Sequence, residues 1–232
     1  MRRLARQEFN VTAQWIDIPS GNDSFGGYLA LPKRGKGPAV IIIQEIFGVN
    51  AHIRAVADHF ASEGYLAVAP AIFEHAEKGF EVGYDAESRA RGMAIAGKAD
   101  REQILRDVAA AVEVAKEGGK VAVVGFCLGG TIAWAAAARL AGLAAAVGYY
   151  GGGIIGLKDL KPRVPTLLHF GDKDQHIPIA GVKEVAVAHP DVEVHIYPAD
   201  HGFNCDHRES YHAPSAALAW TRTVEFLRKH VG

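Results

Sequence analysis

Cysteine is almost missing from this chain. Its two copies, Cys127 and Cys205, cannot build a disulfide framework and fit a reducing, cytoplasmic compartment. An excess of either charge is missing too: 25 basic and 26 acidic residues leave a formal net charge of −1. With no long basic or acidic run, an electrostatic role on nucleic acid or an anionic membrane is disfavoured. Long hydrophobic runs are also lacking, the longest falling around 142–150 and 39–43, far short of a bilayer span. The leading segment MRRLARQEFNVTAQW opens on Arg2 and Arg3 but has no apolar core of the kind a secretory signal needs. No internal repeat or low-complexity stretch occurs.

What is present suits one packed domain over residues 1–232: the hydrophobic fraction is 49% over a length too short for two sizeable cores. Two alternating runs, Gln14–Ile18 and Gly27–Leu31, flank a turn-rich stretch and read as an antiparallel hairpin. Ala39–Ile43, Tyr65–Ala69, 120–124, Leu143–Val147, Thr166–Phe170 and Val192–Tyr197 are expected to form buried strands, the first as a continuous apolar run. Helical spacing is expected over 51–63, 100–117, 131–139, 179–188 and 214–230, whereas 71–98 fits neither period and reads as an excursion. This alternation predicts an α/β fold with a mostly parallel sheet covered on both faces. Chemistry in such sheets gathers beyond the carboxyl ends of the strands.

Gly125-Phe-Cys-Leu-Gly129 follows its strand directly and opens a helix. It has the form of a nucleophile elbow with cysteine in place of serine: the glycines allow close backbone approach while Cys127 projects above the sheet. The helix N-terminus behind it favours thiolate over thiol. The competing reading is a structural cysteine between packing glycines. Two further strand ends decide between them. Gly171-Asp-Lys-Asp-Gln-His-Ile-Pro178 offers Asp172 and Asp174, and Pro198-Ala-Asp-His-Gly-Phe203 offers His201. Nucleophile, acid and histidine thus follow in the chain order that this architecture requires.

With these segments and Gln44-Glu-Ile-Phe-Gly-Val-Asn50, the chain resembles the dienelactone hydrolase (carboxymethylenebutenolidase) family of the α/β-hydrolase fold from about residue 14 to 230. The resemblance implies Cys127 as nucleophile, His201 as base and Asp174 as acid, because the family's acid lies four residues before the proline, here Pro178. Asp172 is then a turn residue. Glu45 matches the family's additional carboxylate, which at the end of its strand can accept a hydrogen bond from a neutral thiol. An oxyanion hole would come from the backbone N–H groups of Leu128 and Ile46. The resemblance also implies a substrate-carboxylate site built of arginines and a tyrosine. Arg89 matches one arginine, Met93 stands where the tyrosine is expected, and Cys205 replaces a second arginine, with Arg208 the nearest substitute.

The implied activity is hydrolysis of a small lactone or carboxylic ester, without cofactor or metal, by a monomer whose partner is the small-molecule substrate. Two rivals remain in view. His201, Cys205, Asp206 and His207 could ligate zinc, although no paired ligand spacing supports it. A thiol-sensing or binding protein could retain the same fold without turnover.

Overall fold

Strands buried on both faces have no need to alternate, and the two most central ones show it. β3 (Ala39–Ile43) and β5 (Val121–Phe126) are inaccessible along their whole length. They sit side by side in the middle of an eight-stranded sheet, as described by a computed structural model covering residues 11–232. Most of the leading segment read above as lacking a signal core lies outside those residues. β1 (Thr12–Ser20) and β2 (Asp23–Leu31) form the expected antiparallel hairpin at one edge. β4 (Leu66–Pro70), β6 (Leu143–Tyr149), β7 (Thr166–Gly171) and β8 (Glu193–Tyr197) complete the order β1-β2-β4-β3-β5-β6-β7-β8. Every pair from β4 to β8 is parallel. The fold is that of an α/β-hydrolase.

Helices α1 (Ala51–Ser62), α2 (Ala86–Lys98), α3 (Arg101–Ala115), α4 (Leu128–Arg139), α5 (Ile179–Ala188) and α6 (Ala213–His230) connect and cover the strands. Two apolar clusters result, one on each face. The first contains Ile53, Phe60 and Leu227 under α1 and α6, the second Val108, Val112 and Ala133 under α3 and α4. Among the described residues no helix is long and apolar enough to cross a membrane.

Two expectations are corrected. The stretch 71–98 is not irregular throughout, because α2 occupies Ala86–Lys98. It starts where the Asp85 side chain accepts from the Ser88 N–H at 2.9 Å. It buries only Gly92 and Ile95, so it carries little of the apolar stripe from which a helix is read. β8, expected to be buried, is the far edge strand, with Ile196 42% exposed.

Candidate active site

The elbow after β5 is strained where the sequence suggests. Cys127 has φ 54° and ψ −114°, one of two described non-glycine residues with positive φ. The cost is tolerated because neighbours fix it: its N–H donates to the Tyr149 carbonyl at 3.0 Å, and its carbonyl accepts from Gly130 and Thr131 in the first turn of α4. A Cβ at Gly125 would collide with the Gly129 carbonyl, and one at Gly129 with the Ile43 carbonyl. Both elbow glycines are therefore required by close backbone approach. The sulfur is part-exposed at the N-terminus of α4, whereas Cys205 is wholly buried.

His201 stands beyond the end of β8 and Asp174 beyond the end of β7. The His201 Nδ1–H donates to Asp174 Oδ2 at 2.7 Å, while Asp174 Oδ1 accepts from the His176 N–H at 2.8 Å. Cys127 acts on the same ring and favours its protonated form. Burial alone would disfavour charge on the ring, but Asp174 and Cys127 outweigh it and push His201 up to about 10. Burial likewise acts to raise the Asp174 carboxyl, and the His201 and His176 bonds outweigh it and hold it below its usual value. Asp172 is exposed and its N–H donates to the Tyr197 carbonyl at 2.8 Å. The geometry selects Asp174, not Asp172, as the partner of the histidine.

Glu45 is fully buried just beyond β3, but its hydrogen bonds do not go to a thiol. Arg208 Nη1 donates to Oε1 and the Tyr84 hydroxyl donates to Oε2, each at 3.0 Å. The Arg208 guanidinium lies 5.9 Å from the ring centres of both Phe47 and Tyr84. Arg208, the substitute for the missing arginine, thus completes an ion pair with Glu45. Around this pair, His52 on α1 meets Asp206 at 3.4 Å. Burial opposes charge on His52, yet Asp206 and the neighbouring Cys205 push it up to about 10.

Arg89 lies on α2, where Nη2 donates to His176 Nε2 at 3.1 Å. The His176 ring meets that of His201 edge-on, 5.8 Å between centres, so this arginine reaches the rim of the same site. Met93 is 61% exposed on the same helix. The Ile46 N–H makes no hydrogen bond to any described residue, and Leu128 opens α4, where an N–H has no intrahelical partner. The four residues of the zinc rival separate: His201 turns to Asp174, while Asp206 faces His52. Among the described residues no group of three potential ligands is disposed to hold a metal.

Sequence reasoning missed Tyr84, His176 and His52. Tyr84 lies in the excursion that showed no period, and its bond to Glu45 spans residues too distant in the chain for spacing to reveal. His176 lies two residues past Asp174, inside a segment already singled out, where attention rested on the acids. His52 on α1 carried no signal at all.

A tight turn carrying Cys127 after β5, with an Asp174–His201 pair at the carboxyl edge of the same sheet, fits the class of α/β-hydrolases. The model of the dienelactone hydrolase family matches residues 25–231, and the chain belongs to that family. It is 37% identical to a candidate carboxymethylenebutenolidase of Synechocystis sp., over 94% of this chain and 97% of that one. It is 35% identical to the carboxymethylenebutenolidase of Pseudomonas putida, over 88% and 91% of the respective lengths. The crystal structure of a candidate dienelactone hydrolase from Klebsiella pneumoniae superposes with a TM-score of 0.85 at 31% identity, covering 95% of this chain and 99% of the other. The protein is a carboxylic ester hydrolase acting on a small molecule.

Proposed function

We propose that the protein opens a small lactone or ester, of the dienelactone kind that would give a maleylacetate-type product, through a covalent acyl-enzyme on Cys127. The observation that carries this reading is His201, held by Asp174 at 2.7 Å beyond the same sheet edge at which Cys127 sits strained at the N-terminus of α4. The Cys127 thiolate attacks the ester carbonyl, and the oxyanion that forms is stabilised by the backbone N–H groups of Leu128 and Ile46. The His201 imidazolium then gives its proton to the departing oxygen, leaving a thioester. Neutral His201 next takes a proton from water, the hydroxide attacks the thioester, and the carboxylic acid formed leaves and ionises to solvent as the thiolate–imidazolium pair is restored. Asp174 keeps the ring oriented and stabilises its charge throughout.

A substrate carboxylate would meet Arg89 at the rim. Arg208 is already neutralised by Glu45, so the site presents one cation rather than two, and this favours a second reading in which neutral small esters are also good substrates.

Cys127→Ala is expected to reduce turnover of a dienelactone or simple aryl ester by roughly a thousandfold or more while the protein remains folded. Ester kinetics alongside circular dichroism measure both. A Cys127→Ala protein that turns over ester at the unsubstituted rate would overturn the mechanism.

A further inference from the structure

Arg208 is bound to Glu45, which leaves Arg89 as the arginine that reaches the rim of the site. Close packing of α2 holds it there. A Cβ at Gly92 would collide with the Ile46 carbonyl, so this turn of the helix lies directly against the loop after β3. Arg89 stands three residues earlier, on the same helix face.

Its partner across the site is the His176 ring, and that contact fixes a proton. A guanidinium has only N–H donors, so the His176 Nε2 atom that receives Arg89 Nη2 at 3.1 Å must carry a lone pair. The ring is then neutral, with its proton on Nδ1. Two further contacts tie the residue to the Asp174–His201 pair. Its backbone N–H donates to Asp174 Oδ1 at 2.8 Å, and its ring meets that of His201 edge-on, 5.8 Å between centres. The titratable and charged groups against His176 are therefore Arg89 from α2, His201 from the loop after β8 and Asp174 from its own loop. The side chain is exposed, so solvent can deliver a second proton to it.

A proton on Nε2 would turn this acceptor into a donor. It would face the guanidinium with like charge, and the contact would break unless an anion came between them. A carboxylate suits that place, because its lone pairs can accept from a guanidinium and an imidazolium together. Anion and proton then favour one another, since each removes the cost that the other meets alone.

We propose that His176 is a specificity-determining residue, which when protonated supplies a second cation beside Arg89 for the carboxylate of an anionic ester. At the alkaline end the neutral ring only holds Arg89, and the carboxylate meets one cation. Selectivity for anionic over neutral esters thus rises as pH falls.

The inference rests on the hydrolase reading and deepens it by naming the ester class. It is read from a ratio between two substrates, whereas the loss of turnover in Cys127→Ala judges the hydrolase reading, so either can fail alone. KM is measured between about pH 5.5 and pH 8, the range in which histidine side chains commonly change charge. The substrates are a nitrophenyl ester with a carboxylate at the end of its acyl chain, which stays ionised throughout, and an uncharged analogue of equal length. Titration of His201 or of the Cys127 thiol acts on both esters and cancels in the ratio of their KM values. In the unsubstituted protein the charged-to-neutral ratio should fall about fivefold toward acid, the effect of one exposed ion pair. His176→Gln keeps an acceptor for Arg89 and removes the charge, so its ratio should stay flat at the alkaline value of the unsubstituted protein. A ratio independent of pH in the unsubstituted protein would overturn the inference. So would a slope that survives in His176→Gln, which would assign the titrating group elsewhere.

Discussion

Two loops at the carboxyl edge of the sheet each bury one carboxylate, and the contrast between them explains most of the site. Asp174, after β7, is 7% exposed, and Glu45, after β3, is 0% exposed. Burial is nearly the same, but the partners are not. Asp174 faces an imidazole, which can hand a proton on and take one back, so the pair can support proton transfer. Glu45 faces a guanidinium and a phenol, both of which keep their protons. Burial is the main force raising Tyr84, reinforced by the Glu45 charge; Arg208 stays raised because Glu45 offsets its burial. A buried carboxylate thus becomes an orienting acid or a fixed anion according to what it is paired with.

The largest expected break in this comparison is Asp174→Asn. The amide would favour the wrong tautomer of His201 and remove its charge partner, and turnover should fall roughly a thousandfold or more. Asp172→Asn should stay within a few-fold, since Asp172 is exposed and its recorded bond is through its backbone. Steady-state kinetics of the two variants decide it, and a larger loss from Asp172→Asn would reverse the assignment.

Glu45→Gln breaks the other pair. It leaves Arg208 half-buried against a neutral amide and should lower stability by about 3 kcal/mol, the low end of the range for uncoupling a buried ion pair, because the arginine side chain retains 18% exposure. Denaturant unfolding measures it. Its turnover loss should be smaller than that of Asp174→Asn, because no proton passes through Glu45 in the mechanism.

A pH experiment sharpens the contrast further. His201 is raised from 6.5 to about 10 in the folded chain. The stability its charge supplies is therefore complete below about pH 6.5 and is lost as pH rises through about 10. The drop in unfolding free energy between neutral pH and pH 10 should shrink in His201→Gln, and equal drops in both proteins would contradict the pairing.

The smallest effect is expected at the rim. Arg89→Ala should raise KM for a carboxylate-bearing ester about tenfold, as for one charge-assisted contact, with little change for a neutral aryl ester. Equal changes for both substrates would remove the anion site.

Much of this was legible without coordinates. The apolar runs of β3, β5 and β7 announce buried parallel strands because a strand covered on both faces has no polar face to reveal. Cys127, Asp174 and His201 could be found because each sits directly after such a run, where short-range order in the chain fixes position in space. α2 was not legible, since it buries too few residues to leave a stripe, and β8 was misjudged because Glu193 and His195, alternating with its apolar residues, were not weighed as the mark of a partly open strand.

The sequence by itself determined the fold class and pointed to Cys127, Asp174 and His201, all of which depend on local patterns at strand ends. Only the tertiary structure decided who holds Glu45. Its two donors lie 39 and 163 residues away along the chain, brought in by the segment before α2 and the loop before α6. A hydrogen bond acts over about 3 Å, and nothing in residue spacing encodes which distant side chain will close that distance. The same holds for Arg89 and His176, separated by 87 residues and joined at 3.1 Å. Partners of that kind exist only once the sheet has set its strand ends side by side.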